Sequence, residues 1–107
     1  MKAVRLVGLR QPLEMQESPQ PMVGEKGVLM RIKAAGICHS DVHYRAGTSS
    51  VKPLPVTQGH EVAGVIKEVA LQVTHVEVGD RVCLLYLITC GDCYYRSTGN
   101  EQFCAKG

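Results

Sequence analysis

The stretch GVLMRIKAAGICHSDVH, Gly27 to His43, decides how the chain is read. From Gly27 to Ala34 it alternates, with Val28, Met30 and Ile32 on one face and Leu29, Arg31 and Lys33 on the other, which is the period of a β-strand. The strand then hands over to a short helical segment from Ser40 to Ala46. Ser40 or Asp41 is expected as its N-cap and Gly47 as its stop. Further short apolar stretches lie at Ala3 to Leu6, Leu13 to Met15, Val62 to Val69 and Val82 to Leu87. Breakers separate them: Pro19, Pro21, Gly24, Pro53, Pro55, Gly59 and the Gly79-Asp80 pair. Many short strands with this punctuation predict a mainly β fold, a partly open β-barrel with short helical segments.

Length and composition bound the function. At 107 residues the chain is expected to form one domain. Its 45% hydrophobic and 21% charged content is that of an ordinary soluble globule, and the net charge of +2 comes from scattered Lys and Arg. This offers no nucleic-acid or membrane surface. Lys2, Arg5 and Arg10 interrupt the N-terminal apolar residues, and the longest apolar run, Val82 to Ile88, is too short to span a bilayer. With no secretory signal, the reading is cytoplasmic. No Gly-x-Gly-x-x-Gly follows a strand, so no nucleotide-binding βαβ unit is expected within residues 1–107. The chain ends in Ala105-Lys106-Gly107 with no closing strand, so the barrel is expected to stop before its last strands and the chain to be part of a longer one.

Three groups of residues carry chemistry. The first, Cys38-His39-Ser40-Asp41-Val42-His43, sits at the strand-to-helix junction. A thiolate there can bind a soft metal, Ser40 can donate and accept a proton, and His43 can exchange one near neutral pH. Taken alone it reads equally well as a buried cysteine with capping polar residues. The second, Gly59-His60-Glu61, presents two ligand types side by side just before a strand, and alone it reads as a satisfied surface pair. Together they bring a thiolate and an imidazole from separate segments, as tetrahedral zinc requires, with Asp41 available to orient His60. The third is Cys90-Gly91-Asp92-Cys93, followed by Arg96 and Cys104. The odd total of five cysteines and the Cys-x-x-Cys spacing make metal ligation a strong competitor to disulfide pairing, whereas Cys83, inside an apolar strand, reads as a small core residue.

The motifs Gly36 to His43, Leu54 to Glu61 and Val78 to Val82 stand in the order and spacing of the medium-chain zinc-dependent alcohol dehydrogenases. From Met1 to about Cys104 the chain resembles the N-terminal GroES-like catalytic-domain portion of that family, its microbial branch in particular. The resemblance implies that Cys38 and His60 match two catalytic zinc ligands, the third being a cysteine beyond residue 107, and that Glu61 matches a carboxylate able to approach the metal. It implies Ser40 as the hydroxyl that meets the alcohol, His43 as the imidazole that passes the proton to solvent, and His39 as a contact to the cofactor pyrophosphate. Zinc, NAD or NADP, and a small alcohol or carbonyl substrate follow, and a homo-oligomer stays open for the full-length enzyme. The family's structural-zinc lobe has four cysteines with the spacing C-x-x-C-x-x-C-x₇-C. Here Arg96 stands at the third position, so Cys90, Cys93 and Cys104 form an incomplete set, expected to hold zinc weakly or not at all.

The leading expectation is therefore an oxidoreductase portion that is inactive as an isolated chain. The alternative is a non-catalytic zinc-binding or interaction module of the same fold. A zinc-ribbon nucleic-acid binder would need a second Cys-x-x-Cys pair and a basic face, and neither is present.

Overall fold

A computed structural model describes residues 1–106. Strands β1 (Lys2–Arg5) and β2 (Glu14–Glu17) form one antiparallel pair. Strands β3 (Val28–Ala35), β4 (Val62–Val69) and β5 (Arg81–Cys83) form an antiparallel sheet in the order β3-β4-β5. Helix α1 (His39–Ala46) joins β3 to the loop before β4, and a short helix α2 (Tyr94–Ser97) precedes a 3₁₀ turn at Glu101–Phe103. The fold is mainly β and its sheets do not close into a barrel. An isolated bridge ties the two sheets' neighbourhoods, Leu6 and Val56 exchanging backbone hydrogen bonds of 2.9 and 3.0 Å. Among the described residues no helix is long and apolar enough to cross a membrane.

The alternating stretch forms the expected strand one residue further along, but not in strict alternation. The β3–β4 register slips between Leu29 and Met30 and again between Ile32 and Ala34. Such bulges leave a residue unpaired and re-aim the side chains beyond it, which helps to explain why Ile32 is 57% exposed. The last strand is shorter than its apolar run. Leu84 still donates its N–H to Val62 O at 2.9 Å, but β4 begins at Val62, so Leu85 to Leu87 have no partner strand and leave the sheet. Cys83, expected in the core, is exposed, because β5 is an edge strand with a neighbour on one side only.

Helix α1 starts one residue earlier than expected. Cys38 is its N-cap, with extended backbone, and the Asp41 carboxylate reaches back to accept the Cys38 N–H at 3.0 Å. Gly47 ends it in the left-handed conformation. The helix C-terminus is tied to the β1–β2 connection: Arg10 N–H donates to Arg45 O at 2.7 Å, and Arg45 Nε donates to Gln11 O at 2.8 Å. Helix α2, which was not expected, is a single turn too short to leave a periodic signature.

The core is thin. Among the described residues its buried apolar side chains are Ala3, Leu6 and Ile66, and Leu6 is the one large side chain wholly removed from solvent. Burial of a leucine contributes about 1.5–3 kcal/mol, and Leu6 is also the residue that carries the backbone bridge to Val56.

Candidate functional site

The register of the sheet places the site. Because β3 and β4 are antiparallel and Ala35 lies opposite Val62, the residues that follow β3 and those that precede β4 emerge at the same end. The ladder extends one step further, Gly36 N–H donating to Glu61 O at 2.7 Å. Cys38 therefore arrives beside His60 through the geometry of one strand pair. Two glycines make the approach possible. Gly59 holds φ at 123°, a conformation that side chains disfavour, and so aims the chain at His60. Gly36 lies so close to Glu61 that an added Cβ would collide with the Glu61 carboxylate.

The result is a cluster in which one ligand atom each from Cys38, His60 and Glu61 lies within 4.8 Å of the others. Cys38 and His60 are half-buried and Glu61 is exposed. The cluster lines a cavity of about 980 Å³, together with Ser40, Tyr44 and Tyr86. The Tyr86 ring stands 6.1 Å from that of His60. The wall formed by Leu84, Leu85 and Tyr86 was not anticipated as a site, since this run reads as strand continuation; its ending with β4 is what frees it to face the cavity.

Local electrostatics ease proton loss from Cys38. Its pKa is lowered, first by the Ser40 side chain, then by the Ser40 backbone and the His60 ring, against opposition from partial burial and the Glu61 charge. The Ser40 hydroxyl influences the sulfur by proximity, yet its Oγ is buried and has no hydrogen-bond partner of good geometry. Asp41 does not orient His60 as expected. One carboxylate oxygen caps the Cys38 N–H, and the other is buried without a hydrogen-bond partner. As the third helical residue, Asp41 is placed to turn back on its own first turn.

His39 and His43 are exposed and lie off the cavity wall, their rings edge to face at 4.8 Å. His43 Nδ1 is 3.2 Å from Thr48 Oγ1, and the Thr48 hydroxyl donates to His43 O at 3.1 Å. If the Thr48 proton goes to His43 O, Thr48 Oγ1 accepts from Nδ1–H and His43 Nε2 is the proton acceptor.

The third group also gathers. Cys90, Cys93 and Cys104 offer sulfurs within 4.8 Å of one another, and no fourth His, Cys, Asp or Glu joins them among the described residues. Cys104 Sγ is 3.6 Å from Cys90 Sγ and accepts the Cys90 N–H at 3.4 Å. The Cys104 pKa is lowered to about 7, chiefly by the Cys90 N–H, then by the Lys106 N–H. The Asp92 backbone pulls the Cys90 pKa down, but the Asp92 carboxylate, burial and the neighbouring thiols together push it up.

The family described as "Alcohol dehydrogenase GroES-like domain" matches residues 24–107. An alcohol dehydrogenase of Geobacillus stearothermophilus is 44% identical over 108 residues, a match spanning 99% of this chain and 32% of that protein. An NAD-dependent alcohol dehydrogenase of Saccharolobus solfataricus is 43% identical over 113 residues, 97% of this chain and 32% of that protein. Among solved structures, a cobalt- and zinc-bound thermostable alcohol dehydrogenase of Pyrobaculum aerophilum superposes with a TM-score of 0.88 at 34% identity, covering 98% of this chain and 32% of that one. The chain thus spans about a third of the length of the curated relatives it matches.

Proposed function

The chain belongs to the alcohol dehydrogenase GroES-like domain family, and on that premise we propose that it forms the N-terminal, substrate-side portion of a zinc-dependent oxidoreductase that interconverts alcohols with aldehydes or ketones using NAD or NADP. The observation that carries this reading is the Cys38–His60–Glu61 cluster on the wall of a large cavity. A thiolate, an imidazole and a carboxylate are donors that suit zinc, and the zinc-bound relative supports that choice of metal. When bound, zinc supplies Lewis-acid charge that makes an alcohol hydroxyl more acidic.

The chain's own residues then have separable tasks. Cys38 and His60 hold the metal, and Glu61 offers a further carboxylate. The Ser40 Oγ, with no partner of good geometry in the fold, is available to the substrate hydroxyl. His43 Nε2 is an acceptor and its ring is exposed, so it can take a proton from the Ser40 side of α1 and release it to water. The two residues are three apart on one helix and therefore neighbours on its surface. His39, first residue of α1, presents a donor beside the helix N-terminus, a favourable place for a cofactor phosphate. The nucleotide-binding domain and the third metal ligand lie outside residues 1–107 in this reading, the substrate is a small molecule, and the setting is cytoplasmic.

Residues 1–107 alone are expected to produce no NADH or NADPH from primary or secondary alcohols under added zinc, since no hydride acceptor is held. Joined to the remaining two-thirds of the Geobacillus relative, the chain is expected to turn over, with the Cys38→Ala chimera slower by about 1000-fold or more. A chimera that folds, binds zinc and still oxidises nothing overturns the reading in favour of a non-catalytic zinc module.

A further inference from the structure

The four-thiolate structural zinc does not fit the lobe from Cys90 to Cys104. Three sulfurs gather there with no fourth donor close to all three among the described residues, the Asp92 carboxylate reaching Cys90 alone, and Arg96, where the family carries a cysteine, has no lone pair for a metal. We propose that this lobe is instead a peroxide-responsive dithiol, in which Cys90 and Cys104 close a disulfide while Cys93 remains a free thiol.

The arrangement of the sulfurs carries the proposal. Cys90 and Cys104 sit with Sγ atoms 3.6 Å apart, and theirs is the one thiol–thiol hydrogen bond among the described residues. Cys104 Sγ also accepts the Cys90 N–H at 3.4 Å, a contact that favours negative charge on that sulfur and marks it as the attacking one. Both residues are half-buried, open enough for a small oxidant to reach. The movement needed is short, from 3.6 Å to a disulfide bond of about 2.05 Å. The lobe can supply it without disturbing the sheet, because α2 and the 3₁₀ turn pack on each other and on no strand.

The chemistry balances with hydrogen peroxide as oxidant. The Cys104 thiolate attacks one peroxide oxygen; an S–O bond forms, the O–O bond breaks, and hydroxide leaves and takes up the proton that Cys104 lost. The Cys90 sulfur then attacks the Cys104 sulfur, the S–S bond forms, and the S–O bond breaks. The departing hydroxide takes up the Cys90 proton. Two thiols lose two electrons in all, and one peroxide becomes two waters. Cys38 has His60 and Glu61 as neighbours in place of a second thiol, so its oxidation has no such partner.

The test is to treat the reduced chain with an equimolar amount of hydrogen peroxide and to follow free thiols and the peptide map. The expected result is loss of two thiols and two hydrogens in a single Cys90–Cys104 crosslink, formed at least about tenfold faster than exposed Cys83 is modified. Cys93→Ser should keep the crosslink, and Cys90→Ser and Cys104→Ser should each abolish it. A crosslink between any other pair, or oxidation past sulfenic acid with none, overturns the proposal. A further arm adds one equivalent of zinc in a Cys38→Ser background. Zinc should protect the Arg96→Cys lobe and leave the native lobe oxidisable; equal protection of both overturns the proposal. None of these readouts depends on alcohol oxidation, so failure here and failure of the dehydrogenase reading are separate results.

Discussion

The two cysteine clusters are built by different parts of the fold, and the difference decides what each can do. Cys38, His60 and Glu61 come from the ends of two paired strands and are brought together by the β3–β4 register. Their spacing is therefore a property of the sheet. Cys90, Cys93 and Cys104 lie within one local excursion of turn, α2 and 3₁₀ turn, which packs on itself. Their spacing is a property of a loop. The first cluster mixes three donor chemistries beside a cavity of about 980 Å³, whereas the second is three sulfurs with the Asp92 carboxylate against Cys90 alone, and no fourth donor close to all three among the described residues.

The largest effect should separate the clusters by zinc affinity. Four ligands of a structural zinc share roughly 10–16 kcal/mol, so each is worth about 2.5–4 kcal/mol, and Cys38→Ala or His60→Ala should weaken the tighter site by about 300-fold. Competition against a chromophoric chelator measures this. If the tight zinc survives Cys38→Ala and disappears with Cys93→Ser, the ranking of the two clusters is reversed.

Restoring the missing corner should narrow the gap. In the Cys38→Ala background, Arg96→Cys is expected to raise zinc affinity at the lobe by about 100-fold, less than a full ligand's share because a loop must reorganise to use the new thiolate. Unchanged affinity would mean that position 96 does not face the other three sulfurs.

How far both clusters were legible in the sequence follows from the same contrast. Cys38 and His60 are paired in the sequence by their donor chemistry and by the family resemblance of their motifs, whereas the antiparallel β3–β4 pairing that brings them to one end is visible only in the structure. The pattern predicted β4 to the residue and β3 within one. What it missed depended on partners that it does not encode. The run from Val82 to Leu87 looks like strand throughout, but β5 lasts only as long as β4 has residues to pair with it, and Cys83 is exposed because no strand covers its other side. Asp41 reads in the sequence as a carboxylate available to orient the His60 imidazole, whereas its place in the helix gives it to the Cys38 N–H.

The segment that leads to His60 is tied down by the bridge from Leu6 to Val56, so loosening Leu6 should disturb the first cluster and spare the loop-built one. Leu6→Ala removes a fully buried side chain from a core that, among the described residues, otherwise holds Ala3 and Ile66. The expected cost is near 2 kcal/mol, the low end for leucine truncation, because a core this open can collapse around the loss. Urea titration reads the stability. In parallel, zinc binding at Cys38 and His60 should weaken while the Cys90–Cys104 crosslink still forms under peroxide. Loss of both together would show that the lobe leans on the sheet after all.

The smallest effect tests whether the cap at Cys38 is what gives the first cluster its definition. Asp41 accepts the Cys38 N–H at 3.0 Å, closing the first turn of α1 on the residue whose sulfur is the proposed ligand. Asp41→Asn keeps size and shape and leaves a weaker, uncharged acceptor, so the cap should lose about 1 kcal/mol. It also removes a negative charge from the helix N-terminus, where the helix dipole favours one, a loss of about 0.3–1 kcal/mol that salt should screen. The two contributions can be told apart by titrating stability against ionic strength, since only the second should fade. If Asp41 acts on the cluster through the position of Cys38, zinc affinity should fall by about tenfold alongside the stability, within the range that outer supporting groups typically contribute. The lobe has no equivalent residue, its N-cap Cys93 making no side-chain cap bond, so its thiol reactivity should be unchanged in the same variant. A fall in stability with zinc affinity intact would assign Asp41 to the helix alone, and would leave the strand register as the sole device that sets Cys38 against His60.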